Sequence, residues 1–195
     1  MKIYTIKIAL KGISPMVWRR ICVAGNTSLA DLHYIVQTLF GWDNEYLHQF
    51  HIYGKDYGIS YEGGLYYPDN PHTVYLDSFS FDKGDKFTYE FNFFEHIMHD
   101  FRIEEVKETI DTKVHPWCIK GSGMPGVTKS DEINAMADFI QAISDEEKKT
   151  SRKKLLNLIE AIDTMRFNRK KLNHQLEKLP MDAYTCKSTN DGETS

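Results

Sequence analysis

The chain opens on a strict alternation. Tyr4, Ile6, Ile8 and Leu10 fall on one face and Thr5 and Lys7 on the other, the period of a half-buried strand over residues 3–10. Gly12 to Pro15 supplies a turn, and Val17 to Val23 reads as a second strand, so the two form an opening hairpin. The period then changes. Leu29, Leu32, Ile35, Val36, Leu39 and Phe40 recur at helical spacing, with Ser28 as the start signal and Gly41 as the stop.

Leu47 to Tyr53 predicts a third strand, followed by a Gly-, Asp- and Tyr-rich loop from Lys55 to Pro71. Val74 to Phe81 predicts another strand. From Phe87 to Ile103 the odd positions are nearly all apolar, a run longer than the usual strand of roughly 5–6 residues. A bend or hairpin near Phe94–His96 is expected, although no glycine marks it. After a Gly/Pro-punctuated connector from His115 to Gly126 the period is helical again, and Ser144 with Glu147 forms a capping box. Leu155, Leu158, Ile162, Met165, Leu172, Leu176 and Leu179 then keep a seam of 3–4 spacing until Pro180 ends it.

This order predicts an α+β fold: a grasp-like mixed sheet of ββαββ type packed on one helix, followed by a C-terminal helical segment. The expected units are a strand-rich domain over 1–126, a basic helical segment over 127–180 and a disordered tail over 181–195.

Charge sharpens the division. The formal net charge is only −4, but Lys148 to Lys178 holds ten Lys and Arg against three acidic residues, a local excess of +7 that leaves −11 elsewhere. Such asymmetry points to a polyanionic partner for the basic part or to contact between the two parts. Cys22, Cys118 and Cys186 are odd in number and widely spaced, which argues against a disulfide framework and for a reducing compartment. The N-terminus lacks the apolar stretch of a signal peptide, and no run has the length of a membrane span. A cytoplasmic protein without a membrane partner is expected.

One constellation is specific. Leu10-Lys11-x-Ile13-x-Pro15-x-Val17-Trp18-Arg19-Arg20-Ile21-x-Val23 is followed by Leu29-x-Asp31-Leu32-His33-x-Ile35-x-Gln37-x-x-Phe40-Gly41-Trp42 and by Leu47-His48-x-Phe50. Together they resemble the plasmid pRiA4b ORF-3-like family over about the first 120 residues. The resemblance implies an α+β fold and a plasmid or mobile-element association, some members being regarded as resolvase-like passengers of insertion elements. It implies no established activity. Where the family carries Tyr-Asp-Phe-Gly-Asp-x-Trp-x-His, this chain has Phe91-Asn92-Phe93-Phe94-Glu95-His96-Ile97-Met98-His99. Asn92, Phe94 and Ile97 thus replace an Asp, a Gly and a Trp.

The candidate chemistry is sparse. Arg19 and Arg20 point to opposite faces of their strand. Arg19 shares a face with Val17, Ile21 and Val23, so it needs a carboxylate, with Asp31 or Glu95 the candidates. Arg20, beside Trp18, is the candidate for an anion or phosphate. His48 and His51, like His96 and His99, are three apart on predicted strands and face opposite ways, which argues against a metal site. His33 reads as a buried histidine with a backbone partner. There is no nucleophile elbow, phosphate loop or zinc motif, and no cofactor is implied.

Lys148, Lys149, Arg152, Lys153 and Lys154 form one basic cluster, and Arg166, Arg169, Lys170 and Lys171 a second. On a helix they flank the apolar seam and suit the backbone of DNA or RNA. Three readings stay open. The first is a non-enzymatic nucleic-acid-associated accessory protein. The second is a protein-binding module whose seam docks a partner or a second copy. The third, and the least supported, is an enzyme using His33, His48 and His99 with an acid.

Overall fold

A computed structural model of the chain describes residues 1–60, 65–110, 116–126 and 167–181. The elements in order are β1 (Lys2–Leu10), β2 (Trp18–Ala24), α1 (Leu29–Phe40), β3 (His48–Ile52), β4 (Lys55–Tyr57), a 3-10 turn (Leu76–Phe79), β5 (Lys86–Phe91), β6 (Ile97–Glu108), β7 (Trp117–Ser122) and α2 (Arg169–Leu176). The strands form one seven-stranded sheet in the order β4-β3-β5-β6-β1-β2-β7. Every pairing is antiparallel, so the α+β class stands but the sheet is not the mixed one expected of a ββαββ arrangement.

Alternation divides the sheet into a covered and an open face. Tyr4, Ile6 and Ile8 of β1, Ile21 and Val23 of β2, Tyr89 of β5 and Phe101 and Ile103 of β6 are buried together with Leu32, Ile35, Val36 and Leu39 of α1. The helix is bounded as its sequence predicts. Ser28 accepts a hydrogen bond from the Asp31 amide, and Gly41 adopts a left-handed φ of 72° with its N–H bonded to the Gln37 carbonyl.

The long alternating run breaks into β5 and β6 at Asn92–His96. Asn92 and His96 take φ of 52° and 50°, and the Asn92 side chain accepts from the Phe94 amide. Asparagine tolerates the left-handed region and forms this turn locally, so no glycine is required. Val74–Phe81 is not a strand. Only Tyr75 bridges, to Ser28, and Leu76–Phe79 winds into a 3-10 turn ahead of Ser80 at φ 51°. The Asp77 carboxylate there accepts from the Tyr4 hydroxyl at 2.9 Å, and its amide donates to the Gly25 carbonyl. Local polar bonds and the burial of Leu76 and Phe81 outweigh a weak strand propensity.

Arg19 holds the β2 end of the sheet to the C-terminus of α1, and not by the expected ion pair. It is 1% exposed, and its guanidinium donates to the carbonyls of Leu39 (3.0 Å), Trp18 (2.9 Å), Ser122 (2.7 Å) and Gly123 (3.2 Å). Neither Asp31 nor Glu95 is its partner, because Asp31 sits at the opposite end of α1 and Glu95 in the β5–β6 turn. The charge is met instead by carbonyl dipoles, including one at the helix C-terminus, and by the rings of Phe40 and Phe167 at 5.3 and 4.7 Å. Burial lowers its pKa to about 10, which still leaves it charged at neutral pH. Gly121 faces Arg19 across the β2–β7 ladder, where a β-carbon would lie 2.8 Å from Arg19 Cδ.

The described part of the C-terminal segment joins the same core. Leu172 and Leu176 are buried, and α2 packs on β7 and α1. Asn173 pairs with the backbone of the edge strand, accepting from the Cys118 amide at 2.7 Å and donating to its carbonyl at 3.1 Å. Among the described residues no helix is long and apolar enough to cross a membrane.

Candidate functional site

The motif residues converge on the covered face. His33 and Gln37 lie one turn apart on α1, Asn44 follows the helix, and Tyr89 rises from β5 beneath them. Gln37 Nε2 donates to the Tyr89 hydroxyl at 2.9 Å, and the hydroxyl lies 2.8 Å from His33 Nδ1. His33 Nε2 is 2.5 Å from Asn44 Oδ1, and the Asn44 amide donates to Gln37 Oε1 at 3.0 Å. The bonds close a ring that assigns the proton of His33 to Nε2, with Nδ1 accepting from tyrosine. His33 is thus buried as expected, but its partners are side chains rather than backbone.

His48 stacks on His33 with ring centroids 3.6 Å apart, and its Nδ1 is buried without a hydrogen-bond partner. His99 accepts from Trp42 Nε1 at 3.3 Å and packs edge-on against Phe40. Burial holds all three imidazoles neutral. The pKa of His33 falls to about 4 despite its bond to Asn44, that of His99 to about 3 despite the backbone of Ile97 and Tyr89, and that of His48 to about 2. Stacked rings present faces rather than converging lone pairs. No group of three or more His, Cys, Asp or Glu side chains is placed to hold a metal among the described residues. His51 and His96 lie outside the cluster, exposed and paired with Asp56 and Glu90. Phe50 is buried against Tyr89 and Phe101, and Pro15 lies exposed in the β1–β2 turn.

The open face has a different composition. The registers place Lys86 opposite Arg102, Arg102 opposite Lys7, Lys7 opposite Arg20 and Arg20 opposite Lys120. Five cations therefore cross β5, β6, β1, β2 and β7 in a single row, about 19 Å long at the spacing of neighbouring strands. Among the described residues Arg20 alone of the row is ion-paired, by two bonds to Glu104 at 2.5 and 3.0 Å; the pairing raises the pKa of the arginine and lowers that of the carboxylate, which Lys7 and Arg102 lower further. Lys7, Lys86, Arg102 and Lys120 have no ion pair among the described residues. Lys7 and Arg20 also lie 5.3 and 5.4 Å from the Trp18 ring. A cavity of about 630 Å³ opens beside the row, lined by Lys7, Lys86, Arg102, Asp100, Met16 and Tyr53 among others. Like charges directly opposite on neighbouring strands repel, a cost the sheet carries along this row.

Of the nine C-terminal cations, Lys148, Lys149, Arg152, Lys153, Lys154 and Arg166 lie outside the described residues, as do Leu155, Ile162 and Met165 of the seam. Arg169, Lys170 and Lys171 are exposed on the first turn of α2, and Arg169 donates to the Ile119 carbonyl on β7 at 3.3 Å. The described end of the seam, Leu172, Leu176 and Leu179, packs onto the chain's own core. Lys7, Lys86, Arg102 and Lys120 were not legible as a group, because a row exists only once the register of five strands is known. The polar phase of each strand was the one available signal.

Comparison with known proteins agrees with the fold and is silent on activity. The chain is 29% identical over 119 residues to the uncharacterized protein y4hQ of Sinorhizobium fredii, a stretch covering 60% of this chain and 61% of that protein. It superposes with a TM-score of 0.63 on the crystal structure of MM3350, a protein of unknown function from Methanosarcina mazei, at 23% identity, covering 87% of this chain and 97% of the other. That likeness is one of fold. The profile of the family described as "Plasmid pRiA4b ORF-3-like protein" matches residues 2–173, past the first 120 residues and into α2. With most of its motif residues on the covered face and the match running from β1 to α2, the chain belongs to the plasmid pRiA4b ORF-3-like family.

Proposed function

We propose that this protein is a non-enzymatic accessory protein of a plasmid or mobile element, acting in the cytoplasm, that holds a nucleic-acid backbone against its basic surfaces. The observation that carries the reading is the row Lys86–Arg102–Lys7–Arg20–Lys120, four of whose members have no ion pair among the described residues. Aligned cations raise the stability cost of the free sheet and lower the cost of bringing phosphates to it. Arg169, Lys170 and Lys171 add to the argument, since three cations in the first turn of a helix oppose its dipole. Lys120 and Arg169 both border the edge strand β7, so the two basic regions approach each other there.

The test is a fluorescence anisotropy titration of the full chain with a labelled oligonucleotide across a salt series. Binding should weaken steeply with salt, and Lys86→Ala with Arg102→Ala should lower the slope of log K against log salt by about 1.5. Absence of binding at 20 mM salt (roughly the regime where surface charges act at longest range), or an unchanged slope in the double variant, would refute the reading.

A further inference from the structure

The open face also carries a feature that binding of backbone charge alone does not need. Tyr53 and Gly54 link β3 to β4 as a two-residue hairpin turn with φ of 49° and 79°. Both positive values identify a type I′ turn, whose first position favours asparagine, aspartate or glycine. A bulky aromatic residue at φ 49° is a conformational outlier, and such outliers persist where the surroundings hold them. Here the Tyr53 hydroxyl donates to Asp85 at 2.9 Å, and the ring edge is steadied by Phe81 at a centroid distance of 5.6 Å. The side chain nevertheless stays 62% exposed and forms part of the wall of the 630 Å³ cavity that Lys7, Lys86 and Arg102 also line.

Resting on the reading that this face binds nucleic-acid backbone, we propose that its ligand is single-stranded nucleic acid, with a base stacked on Tyr53 inside the cavity and the flanking phosphates on Lys86, Arg102 and Lys7. The cavity volume lies in the range of pockets that enclose a small molecule, roughly 300–1,000 Å³, so a splayed base fits with room to spare. A duplex keeps its bases stacked inside a cylinder, leaving the cavity empty and Tyr53 unused. An exposed ring beside unpaired cations is the pairing by which single strands are held without sequence preference. Trp18, with Lys7 and Arg20 close to its ring, offers a second platform along the same row.

The decisive variant is Tyr53→Asn. Asn-Gly is the most favoured type I′ pair, so this chain should fold as well as the parent or better while losing the ring. Anisotropy titrations would use labelled 12-mers of thymidine and uridine, a 12-base-pair duplex, and linear polyphosphate as competitor. Single strands should bind roughly 10-fold more tightly than the duplex. Tyr53→Asn should abolish that advantage and leave duplex and polyphosphate binding unchanged, and Tyr53→Phe should retain it. Equal affinity for single strand and duplex, or unchanged single-strand binding by Tyr53→Asn, would overturn this inference and leave the backbone reading standing. Failure of every polymer to bind at low salt would remove both.

Discussion

The two faces of one sheet handle charge in opposite ways. On the covered face a guanidinium and three imidazoles are removed from water, and the groups that are bonded are bonded from within: Arg19 by four carbonyls, and His33 by a closed ring through Tyr89, Gln37 and Asn44. On the open face, cations stand in register with one carboxylate, Glu104, paired to one of them. Arg19 and Arg20 are neighbours in sequence and belong to these two different regimes. A motif can therefore be rich in polar residues and still place most of them in the core, whereas the cationic row takes only Arg20 from the motif.

The contrast can be broken first by acid. His33 and His99 have folded-state pKa values near 4 and 3, and His48 is lowered further, against about 6.5 for an unfolded chain. Below pH 6.5 the unfolded chain binds protons that the folded chain refuses, so stability is full above that value and falls as pH drops. Each imidazole contributes about 1.4 kcal/mol per pH unit, so three groups should remove up to about 10 kcal/mol by pH 4, comparable with an ordinary stability of roughly 5–15 kcal/mol. Thermal melts from pH 8 to pH 4 would check this, and a flat profile below pH 6.5 would mean the imidazoles reach water.

Substitution of the paired arginines should give the next largest effect. Arg19→Met strands the buried Leu39 carbonyl and three part-buried ones and should cost about 3 kcal/mol, a fall in Tm of roughly 6–12 °C. Arg20→Met removes a half-exposed ion pair and should cost about 1 kcal/mol or less. Calorimetry of the two variants side by side would measure the difference between the faces, and equal losses would erase it. The smallest effect has the opposite sign. Lys7→Thr relieves repulsion from Arg102 and should raise stability by about 0.5 kcal/mol at low salt, an increment that 300 mM salt should suppress. Urea midpoints at the two salt concentrations would detect it, and a loss of stability would make the row structural.

What could be read from the sequence was local. The cap at Ser28, the stop at Gly41 and the two strands of the opening hairpin are encoded within a few residues and stand as predicted. The bend at Asn92–His96 was signalled by the length of an alternating run, even though asparagine and histidine rather than glycine make the turn. Val74–Phe81 misled because its apolar residues bury themselves around a 3-10 turn held through Asp77, whose partners Tyr4 and Gly25 come from β1 and the loop after β2. Arg19 was correctly assigned to the buried face, but carbonyls from α1 and from the end of β7 are invisible before tertiary structure forms. The opposite facings of His48 and His51 followed from strand geometry alone. The cationic row did not, since it depends on four registers at once.

The bond between Asn173 and the Cys118 backbone has a consequence for company rather than for stability. An edge strand is adhesive, because its free amides and carbonyls will accept any other extended chain. A side-chain amide carries the same donor and acceptor as a peptide unit, and Asn173 presents both to β7 at the level where a neighbouring strand would begin. The C-terminal helix thus acts as a stopper on this border of the sheet, so another extended chain could add to β7 at Cys118 only after Asn173 is displaced.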